Sequence, residues 1–242
     1  RGLGMTFLLL VVGLGAFVSV RFLHNDDTTT SPSSATKEQV AVQNDFLHNV
    51  THYEAIPWSV GLRQAMPSSS SIGQVAAVAV SPSGPRTYLF ARRSNTYTAH
   101  AVIENAAIFV LDTTTTTNND NNAEATTTLQ TQFGQDLFVT PHGLYCDTEG
   151  YLWATDTTLH QVWKLHPETG EILLTLGHAR TPGKGPYHFN RPTDVVVDIA
   201  ANQVFVADGY GNSRVAIFTL DGTYVGEYGN GRRGSDPGAF DI

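Results

Sequence analysis

A repeat in the second half of the 242-residue chain is the feature that most limits the folds it can adopt. Two consecutive units each have the order strand, turn, strand ending in aspartate, loop, strand, turn, strand and glycine. Three pairs of matching residues lie 52 positions apart, namely Asp156 with Asp208, Leu165 with Ile217, and Gly177 with Gly229. Four short strands per unit at such a period are typical of a β-propeller blade. A β-sandwich whose strands share this spacing by chance is the alternative.

Alternating strands separated by turns are predicted from residue 70 onwards, so we expect an all-β fold with a partial β-propeller at residues 70–242. The predicted strands are residues 74–80, 86–91, 107–111, 143–146, 152–155, 161–165, 173–176, 194–197, 204–207, 214–219 and 223–228. They make about three blades, whereas propellers close with roughly four to eight. Because three blades alone leave sheet edges unpaired, we expect this chain to be a fragment of a longer protein.

Composition and charge exclude some partners and sites. The chain has 22 acidic and 14 basic side chains, a formal net charge of −8, which argues against a nucleic-acid partner. The single cysteine, Cys146, excludes an intrachain disulfide framework and a cysteine-rich zinc site.

The N-terminal segment is apolar. Residues 7–20 are all apolar or small and lie between Arg1 and Arg21. This length fits the apolar region of a signal peptide better than a membrane span of roughly 20 residues. No clean cleavage site follows, so a short signal anchor is the other interpretation. We predict that residues 1–24 are a signal peptide or signal anchor. The protein would then be secreted or membrane-anchored, with the propeller on the lumenal or extracellular side.

Two low-complexity segments interrupt the chain. Residues 25–69 are predicted to be a flexible linker, because they include a Ser/Thr/Pro-rich stretch at 28–34. Asn49-Val50-Thr51 in this linker is an N-glycosylation acceptor if the chain enters the secretory lumen. Residues 113–128 are rich in Thr and Asn and are predicted to be an insertion between two strands.

His142 is a candidate metal ligand, because it enters the first strand of a predicted blade, close to the central channel. Zinc would need two further ligands from other blades, with the fourth position open for water or substrate. A hydrogen-bonding turn residue is the alternative role for His142. The remaining histidines of the repeat region are predicted to be solvated surface residues: His160, His166, His178 and His188.

Tyr210 and two arginines are further candidates. Tyr210 is flanked by glycines and therefore held out of the sheet, where its phenol is a general base only if a nearby cation lowers its pKa from about 10. Arg92 and Arg93 end a predicted strand and have the geometry to bind a carboxylate through two hydrogen bonds. Packing and surface roles are the respective alternatives.

The sequence words around these residues resemble the lyase domain of peptidylglycine α-amidating enzymes, the peptidyl-α-hydroxyglycine α-amidating lyases. The matching words are Pro141-His142-Gly143-Leu144, Trp153-Ala154-Thr155-Asp156, Leu159-His160-Gln161-Val162-Trp163-Lys164-Leu165, Leu176-Gly177, His188-Phe189-x-x-Pro192-Thr193-Asp194-Val195, Asp208-Gly209-Tyr210-x-Asn212-Ser213-Arg214 and Pro237-Gly238-x-Phe240. The resemblance is specific over residues 141–229 and looser over 73–92, and it goes beyond a generic NHL repeat.

The resemblance implies a six-bladed NHL-type propeller that cleaves a C-terminally α-hydroxyglycine-extended peptide into a peptide amide and glyoxylate. It implies a channel zinc held by three histidines, of which His142 matches the first. It also implies a structural calcium that binds the backbone carbonyls of Val78 and Leu144. Tyr210 matches the catalytic tyrosine, and Arg92 matches the arginine that engages the substrate and helps to activate that tyrosine.

Two departures from the family pattern affect these expectations. The family often carries a disulfide between positions that are Asn190 and Gly211 here, so both partners are absent together. The family's other two zinc histidines lie beyond the Pro-Gly-x-Phe word, and this chain ends at Ile242 before either. We therefore expect the fragment to bind zinc poorly and to be inactive, and the intact protein to be a zinc-dependent lyase without the family's monooxygenase domain.

Two other functions are compatible with a propeller, since one fold supports many activities. A non-catalytic NHL propeller that binds a protein partner would lack histidines after the Pro-Gly-x-Phe word. A lactonase-like hydrolase would need a calcium ringed by Asp, Asn and Glu, and the sequence supplies no such ring.

Overall fold

The computed structural model describes residues 11–13, 16–18, 72–93, 100–117 and 123–229. The chain divides into two compact units, residues 1–58 and 59–242. In the first unit, β1 (Val11–Gly13) and β2 (Ala16–Val18) pair as an antiparallel ribbon. The rest of the predicted leader and linker, including Asn49, lies outside the described residues. The described residues contain no helix of the length and hydropathy needed to cross a membrane.

The described residues of the second unit form three four-stranded antiparallel sheets, and in each the strands follow one another in chain order. Blade 1 consists of β3 (Val75–Val80), β4 (Arg86–Ala91), β5 (Ile108–Thr117) and β6 (Ala123–Phe133). Blade 2 consists of β7 (Pro141–Cys146), β8 (Leu152–Asp156), β9 (Gln161–Leu165) and β10 (Ile172–Leu176). Blade 3 consists of β11 (Asp194–Asp198), β12 (Gln203–Asp208), β13 (Arg214–Phe218) and β14 (Tyr224–Tyr228), with one helical turn, α1 (Gly209–Asn212), between β12 and β13. The predicted partial β-propeller is confirmed.

Every predicted strand is present, but blade 1 has a fourth strand that the sequence pattern did not predict. Residues 113–117 and 123–128 extend the β5–β6 pair: Thr113 pairs with Thr127 and Thr114 with Thr126. Threonine is β-branched and favours strands. The threonine run therefore continues the ladder, although its polarity resembles that of a loop.

Neighbouring blades pack through their apolar faces. Phe138 lies between blades 1 and 2, with its ring centroid 4.7 Å from that of Phe90 and 5.2 Å from that of Trp163. Phe189 and Phe218 meet at 5.7 Å in the core between blades 2 and 3. This packing places the first strands of the three blades side by side, since β7 contacts β3 on one flank and β11 on the other.

The repeated aspartate joins blades 2 and 3 to the segments that lead into them. Asp156 is fully buried, and one of its oxygens accepts from the backbone N–H groups of Val139 and Thr140, both at 2.7 Å. Asp208 is also fully buried and accepts from the backbone N–H of Asn190 at 2.8 Å. Buried carboxylates need such donors, so the 52-residue spacing reflects a structural requirement shared by blades 2 and 3.

The repeat is not exact, and one of the three matched pairs is wrong. The loop after β8 covers residues 157–160, whereas the loop after β12 covers residues 209–213 and is one residue longer. Leu165 pairs with Leu152, and in blade 3 the equivalent pair is Phe218 with Val204, so Leu165 corresponds to Phe218 and not to Ile217. The turn before β14 is one residue shorter than the turn before β10, which restores the period at Gly229.

Candidate active site

His142 lies in a β-bulge at the start of β7. Pro141 pairs with Asp156 but Leu144 pairs with Ala154, so the register shifts between them and His142 and Gly143 have no ladder partner. Bulges redirect side chains and are common beside active sites. In this bulge the His142 ring is directed towards blade 3.

The hydrogen bonds of His142 define its tautomer. Its Nδ1 lies 2.8 Å from the carbonyl oxygen of Thr193, and a carbonyl only accepts, so Nδ1 carries the proton. The lone pair of the neutral ring is therefore on Nε2, which accepts from the hydroxyl of Tyr210 at 3.2 Å. Burial lowers the pKa of His142 below its ordinary value, and the charge of Arg92 adds to this against the opposing Thr193 hydrogen bond. His142 is thus neutral at pH 7 and has a nitrogen suited to a metal ion.

Tyr210 lies in α1, the helical turn that contains the extra residue of blade 3. Its side chain is 38% exposed, and its ring meets that of His142 edge to face with centroids 5.6 Å apart. The Tyr210 residue is therefore partly accessible to solvent, and its phenol oxygen is adjacent to Nε2 of His142.

A buried network holds the loop that carries Tyr210. Arg214, only 1% exposed, donates to Asp208 at 3.0 Å and to the carbonyl of His188 at 2.6 Å. Asn212 donates to Asp208 at 2.6 Å and to the carbonyl of Gly183 at 2.7 Å. The Asn-Ser-Arg word therefore ties α1 to the segment that connects blades 2 and 3, which limits the positions open to the phenol.

Arg92 lies on the other flank of His142. Its Nε donates to the carbonyl of Pro141 at 2.9 Å, and one Nη donates to Oε1 of Gln74 at 3.0 Å. Arg92 is 8% exposed, so it places a buried positive charge beside the backbone of His142. Arg93 is directed elsewhere: its guanidinium lies 5.3 Å from the ring centroid of Phe109.

The structure therefore brings Arg92, His142 and Tyr210 together from three different blades. Val78 and Leu144, the predicted calcium ligands, lie on β3 and β7, which contact each other and are both edge strands of their sheets. Within the described ranges, no group of three or more His, Cys, Asp or Glu side chains is arranged to hold a metal ion. His142 fits a zinc site as one ligand, because its Nε2 lone pair and its neutral state are what Zn²⁺ requires.

One prediction about the other histidines is wrong. His160 is only 9% exposed, and its Nδ1 accepts from the backbone N–H of Arg191 at 3.0 Å. It joins the β8–β9 loop to the segment leading into blade 3, and burial lowers its pKa. His178 is exposed and His188 is half-buried, and their ring centroids are 4.7 Å apart.

Asn190 and Gly211, where the family often has a disulfide, are in direct contact. The N–H of Gly211 donates to the carbonyl of Asn190 at 3.0 Å. A Cβ at position 211 would lie 2.6 Å from the Cβ of Asn190. Glycine is needed here because the Asn190 side chain occupies the space that a larger residue would fill.

Sequence analysis assigned no role to Thr155 or Thr193, although both lie at the site. The Thr193 carbonyl holds His142, and the Thr155 hydroxyl donates to the same carbonyl at 3.2 Å. Both residues occur in the words that match the lyases, Trp-Ala-Thr-Asp and Pro-Thr-Asp-Val. The motifs therefore contained both residues. The role of Thr193 depends on its backbone carbonyl, however, which every residue has.

Comparison with known proteins adds independent support. The NHL repeat family matches residues 189–218, which cover most of blade 3. Peptidyl-alpha-hydroxyglycine alpha-amidating lyase 2 of Drosophila melanogaster is 32% identical over 199 residues, covering 76% of this chain and 46% of that protein. Lyase 1 of the same organism is 41% identical over 42% of this chain and 19% of its own length.

The peptidyl-glycine alpha-amidating monooxygenase of Mus musculus is 46% identical over 112 residues, which are 45% of this chain and 11% of that protein. The chain spans less than half the length of each of these relatives. The aligned identity and the NHL repeat confirm the resemblance drawn from the motifs, and the chain is a homologue of the peptidyl-α-hydroxyglycine α-amidating lyases.

Proposed function

We propose that the intact protein is a peptidyl-α-hydroxyglycine α-amidating lyase that uses zinc, and that the described blades supply part of its active site. The observation that carries the proposal is the contact of Tyr210 with Nε2 of His142 at 3.2 Å, beside the buried charge of Arg92. These three residues come from different blades and match the lyase words, so their convergence is not a consequence of local sequence.

The reaction splits one molecule into two without an added reactant. The substrate hydroxyl loses its proton, the electron pair of that O–H bond forms the carbonyl of glyoxylate, and the carbon–nitrogen bond breaks. Its electron pair remains on nitrogen, which takes up a proton and becomes the peptide amide. Catalysis therefore needs a base near the hydroxyl and a positive charge near the substrate carboxylate.

Tyr210 is suited to be the base, because it is 38% exposed and the loop that carries it is held by the Asp208–Arg214 network. The Nε2 lone pair of His142 can accept from Tyr210 or bind a metal ion, but not both. When His142 acts as a ligand, the Tyr210 hydroxyl is released to face the substrate. Arg92 supplies the fixed positive charge that attracts the anionic end of the peptide.

A zinc ion bound in the channel would lower the pKa of the substrate hydroxyl, as it does for a bound water. His142 is the ligand that this part of the chain offers, with its Nδ1–H fixed on the Thr193 carbonyl. The carbonyls of Val78 and Leu144, on neighbouring first strands, are the proposed ligands of a structural calcium.

Glyoxylate release tests this function in the intact protein. A synthetic peptide ending in α-hydroxyglycine should give equal amounts of peptide amide and glyoxylate, and chelation should abolish the activity until zinc is restored. Tyr210→Phe keeps the ring against His142 but removes the hydroxyl, so kcat should fall roughly 10²- to 10⁴-fold. Tyr187→Phe, on an exposed tyrosine away from His142, is the control. Full activity in Tyr210→Phe would refute the assignment of the base.

We also propose that the protein enters the secretory pathway. The support is the apolar run at residues 7–20 and the glycosylation triplet at Asn49. Treatment with a glycan-removing amidase should lower the mass of the wild-type protein but not that of Asn49→Gln. This comparison tests entry into the secretory pathway.

A further inference from the structure

We propose that Thr155 is a positioning residue that holds His142 in the tautomer and orientation required of a metal ligand. This proposal rests on the proposed function for one point, the identity of the metal as zinc. The Thr155 hydroxyl bonds backbone atoms of Gly143 and Thr193. It acts through a carbonyl oxygen that it shares with His142.

The Thr155 hydroxyl makes two hydrogen bonds in a fully buried position. It accepts from the backbone N–H of Gly143 at 2.8 Å and donates to the carbonyl oxygen of Thr193 at 3.2 Å. The same carbonyl accepts from Nδ1 of His142 at 2.8 Å. A carbonyl oxygen has two lone pairs, and here one faces Thr155 and the other His142.

The direction of the hydroxyl proton follows from its partners. A hydroxyl has one proton to donate, and the Gly143 N–H can only donate, so the Thr155 proton is directed to Thr193. This occupies one lone pair of the Thr193 carbonyl and leaves the other to accept from Nδ1 of His142. The Nδ1–H tautomer of His142, which places the lone pair of the ring on Nε2, is stabilised by this arrangement.

The bulge in β7 explains why a hydroxyl is needed at position 155. The register shift between Pro141 and Leu144 leaves the Gly143 N–H without a ladder partner. A buried N–H without an acceptor is strongly unfavourable, and the Thr155 hydroxyl is the acceptor that the bulge requires. The same side chain therefore stabilises the bulge and orients the histidine that the bulge presents.

Close approach of two blades makes the shared carbonyl possible. A Cβ at Gly143 would lie 2.6 Å from the Thr193 oxygen, closer than side chains approach. Thr193 leads into blade 3, whereas Thr155 and His142 belong to blade 2. Thr155 thus connects the placement of His142 to the packing of blade 3, which also carries Tyr210.

Substitutions of Thr155 in the intact protein test the proposal. Thr155→Val keeps the branched shape and removes the hydroxyl, whereas Thr155→Ser keeps the hydroxyl. Thr140→Val is the matched control, because Thr140 is a buried threonine directly before β7 whose hydroxyl lies 2.8 Å from that of Thr158. Two quantities are measured: the His142 tautomer by ¹⁵N NMR of the metal-free protein, and the zinc dissociation constant by competition with a chromophoric chelator.

In the wild type, Thr155→Ser and Thr140→Val, we expect His142 to be protonated on Nδ1. In Thr155→Val we expect mixed tautomers and a zinc dissociation constant that rises about 10- to 100-fold, the usual effect of losing a partner that orients a ligand. An unchanged tautomer and dissociation constant in folded Thr155→Val would overturn the proposal. So would an equal effect of Thr140→Val.

A measurement on the wild type covers the case in which Thr155→Val does not fold. The Thr155 hydroxyl proton should exchange slowly with water and show a nuclear Overhauser effect to the Nδ1 proton of His142. Rapid exchange without that effect would overturn the proposal. Neither NMR readout uses a substrate, so an inactive wild type with the expected tautomer would refute the lyase function alone.

Discussion

The loops that follow the second strands of blades 2 and 3 occupy equivalent positions but are held by different hydrogen bonds. In blade 2, the oxygens of Asp156 accept from the backbone N–H groups of Val139 and Thr140 and from those of Thr158 and Leu159 in its own loop, the last two at 2.9 Å. In blade 3, Asp208 accepts from the backbone N–H of Asn190 and, in addition, from the side chains of Asn212 and Arg214. The loop of blade 2 is therefore held by its own backbone N–H groups, whereas the loop of blade 3 is held by side-chain hydrogen bonds.

This difference shows how a blade gains a functional group without changing its sheet. The loop after β12 is one residue longer, forms α1 and exposes Tyr210, whereas the loop after β8 buries His160. Loops tolerate such changes because the strands supply the stability. The side-chain network of blade 3 replaces the backbone hydrogen bonds that the longer loop cannot make.

The largest expected effect is the loss of Arg214. Arg214→Met leaves the buried carboxylate of Asp208 without its cation, so the free energy of unfolding should fall by about 3–5 kcal/mol. Gln161 occupies the equivalent position in blade 2, opposite Asp156. The hydrogen bond from the Gln161 amide to the Gly177 carbonyl is long, at 3.5 Å. Gln161→Met should therefore lower the free energy of unfolding by less than about 1 kcal/mol. Chemical denaturation measures both, and equal losses would contradict the distinction between the loops.

A disulfide across the longer loop should have an intermediate effect of opposite sign. The double substitution Asn190→Cys with Gly211→Cys places two thiols in contact, after a small shift of α1 to reach the usual Cβ separation of about 3.8 Å. A bridge closing this loop should stabilise the fold by about 2–3 kcal/mol. Burial raises the pKa of Cys146 to about 12, so its thiol should not compete.

Mass spectrometry and thermal unfolding with and without reductant measure this bridge, and the two single variants are the controls. Absence of a bridge under oxidising conditions would mean that α1 does not lie against Asn190.

The smallest expected effect concerns His160 and pH. Burial, aided by Arg191, sets its pKa below that of the unfolded chain, so the unfolded state binds the proton first. Its contribution to stability is complete above about pH 6.5 and is lost as the pH falls towards the folded value. His160→Gln should cost about 1–2 kcal/mol at pH 7.5 and reduce the loss of stability between pH 7.5 and 5. Denaturation at both pH values tests this, with the exposed His178→Gln as control; an unchanged pH dependence would contradict it.

Much of the fold was predictable because its signals are local. Alternation of apolar residues and turn-forming glycines located the strands, and the buried aspartates gave the period of the blades. The fourth strand of blade 1 was missed because its threonines have the polarity of a loop and the geometry of a strand. His160 was misassigned because burial of a loop residue depends on the neighbouring blade.

The candidate site was predictable only in its residue types. His142, Tyr210 and Arg92 stand out by their neighbours and by the lyase words, but they are separated by dozens of residues. Their hydrogen-bond partners include the backbone carbonyls of Thr193 and Pro141. Every residue has a carbonyl, so identity alone could not single out these two.

The sequence by itself determined the all-β class, the blade period and the residues that match the lyases, because strand alternation, turns and motifs are properties of short segments. Only the tertiary structure decided that Nδ1 of His142 faces Thr193, that Nε2 faces Tyr210, and that Thr155 shares the carbonyl between them. These contacts form where blades 2 and 3 meet at Gly143. Their geometry depends on how two sheets pack, which no short segment encodes.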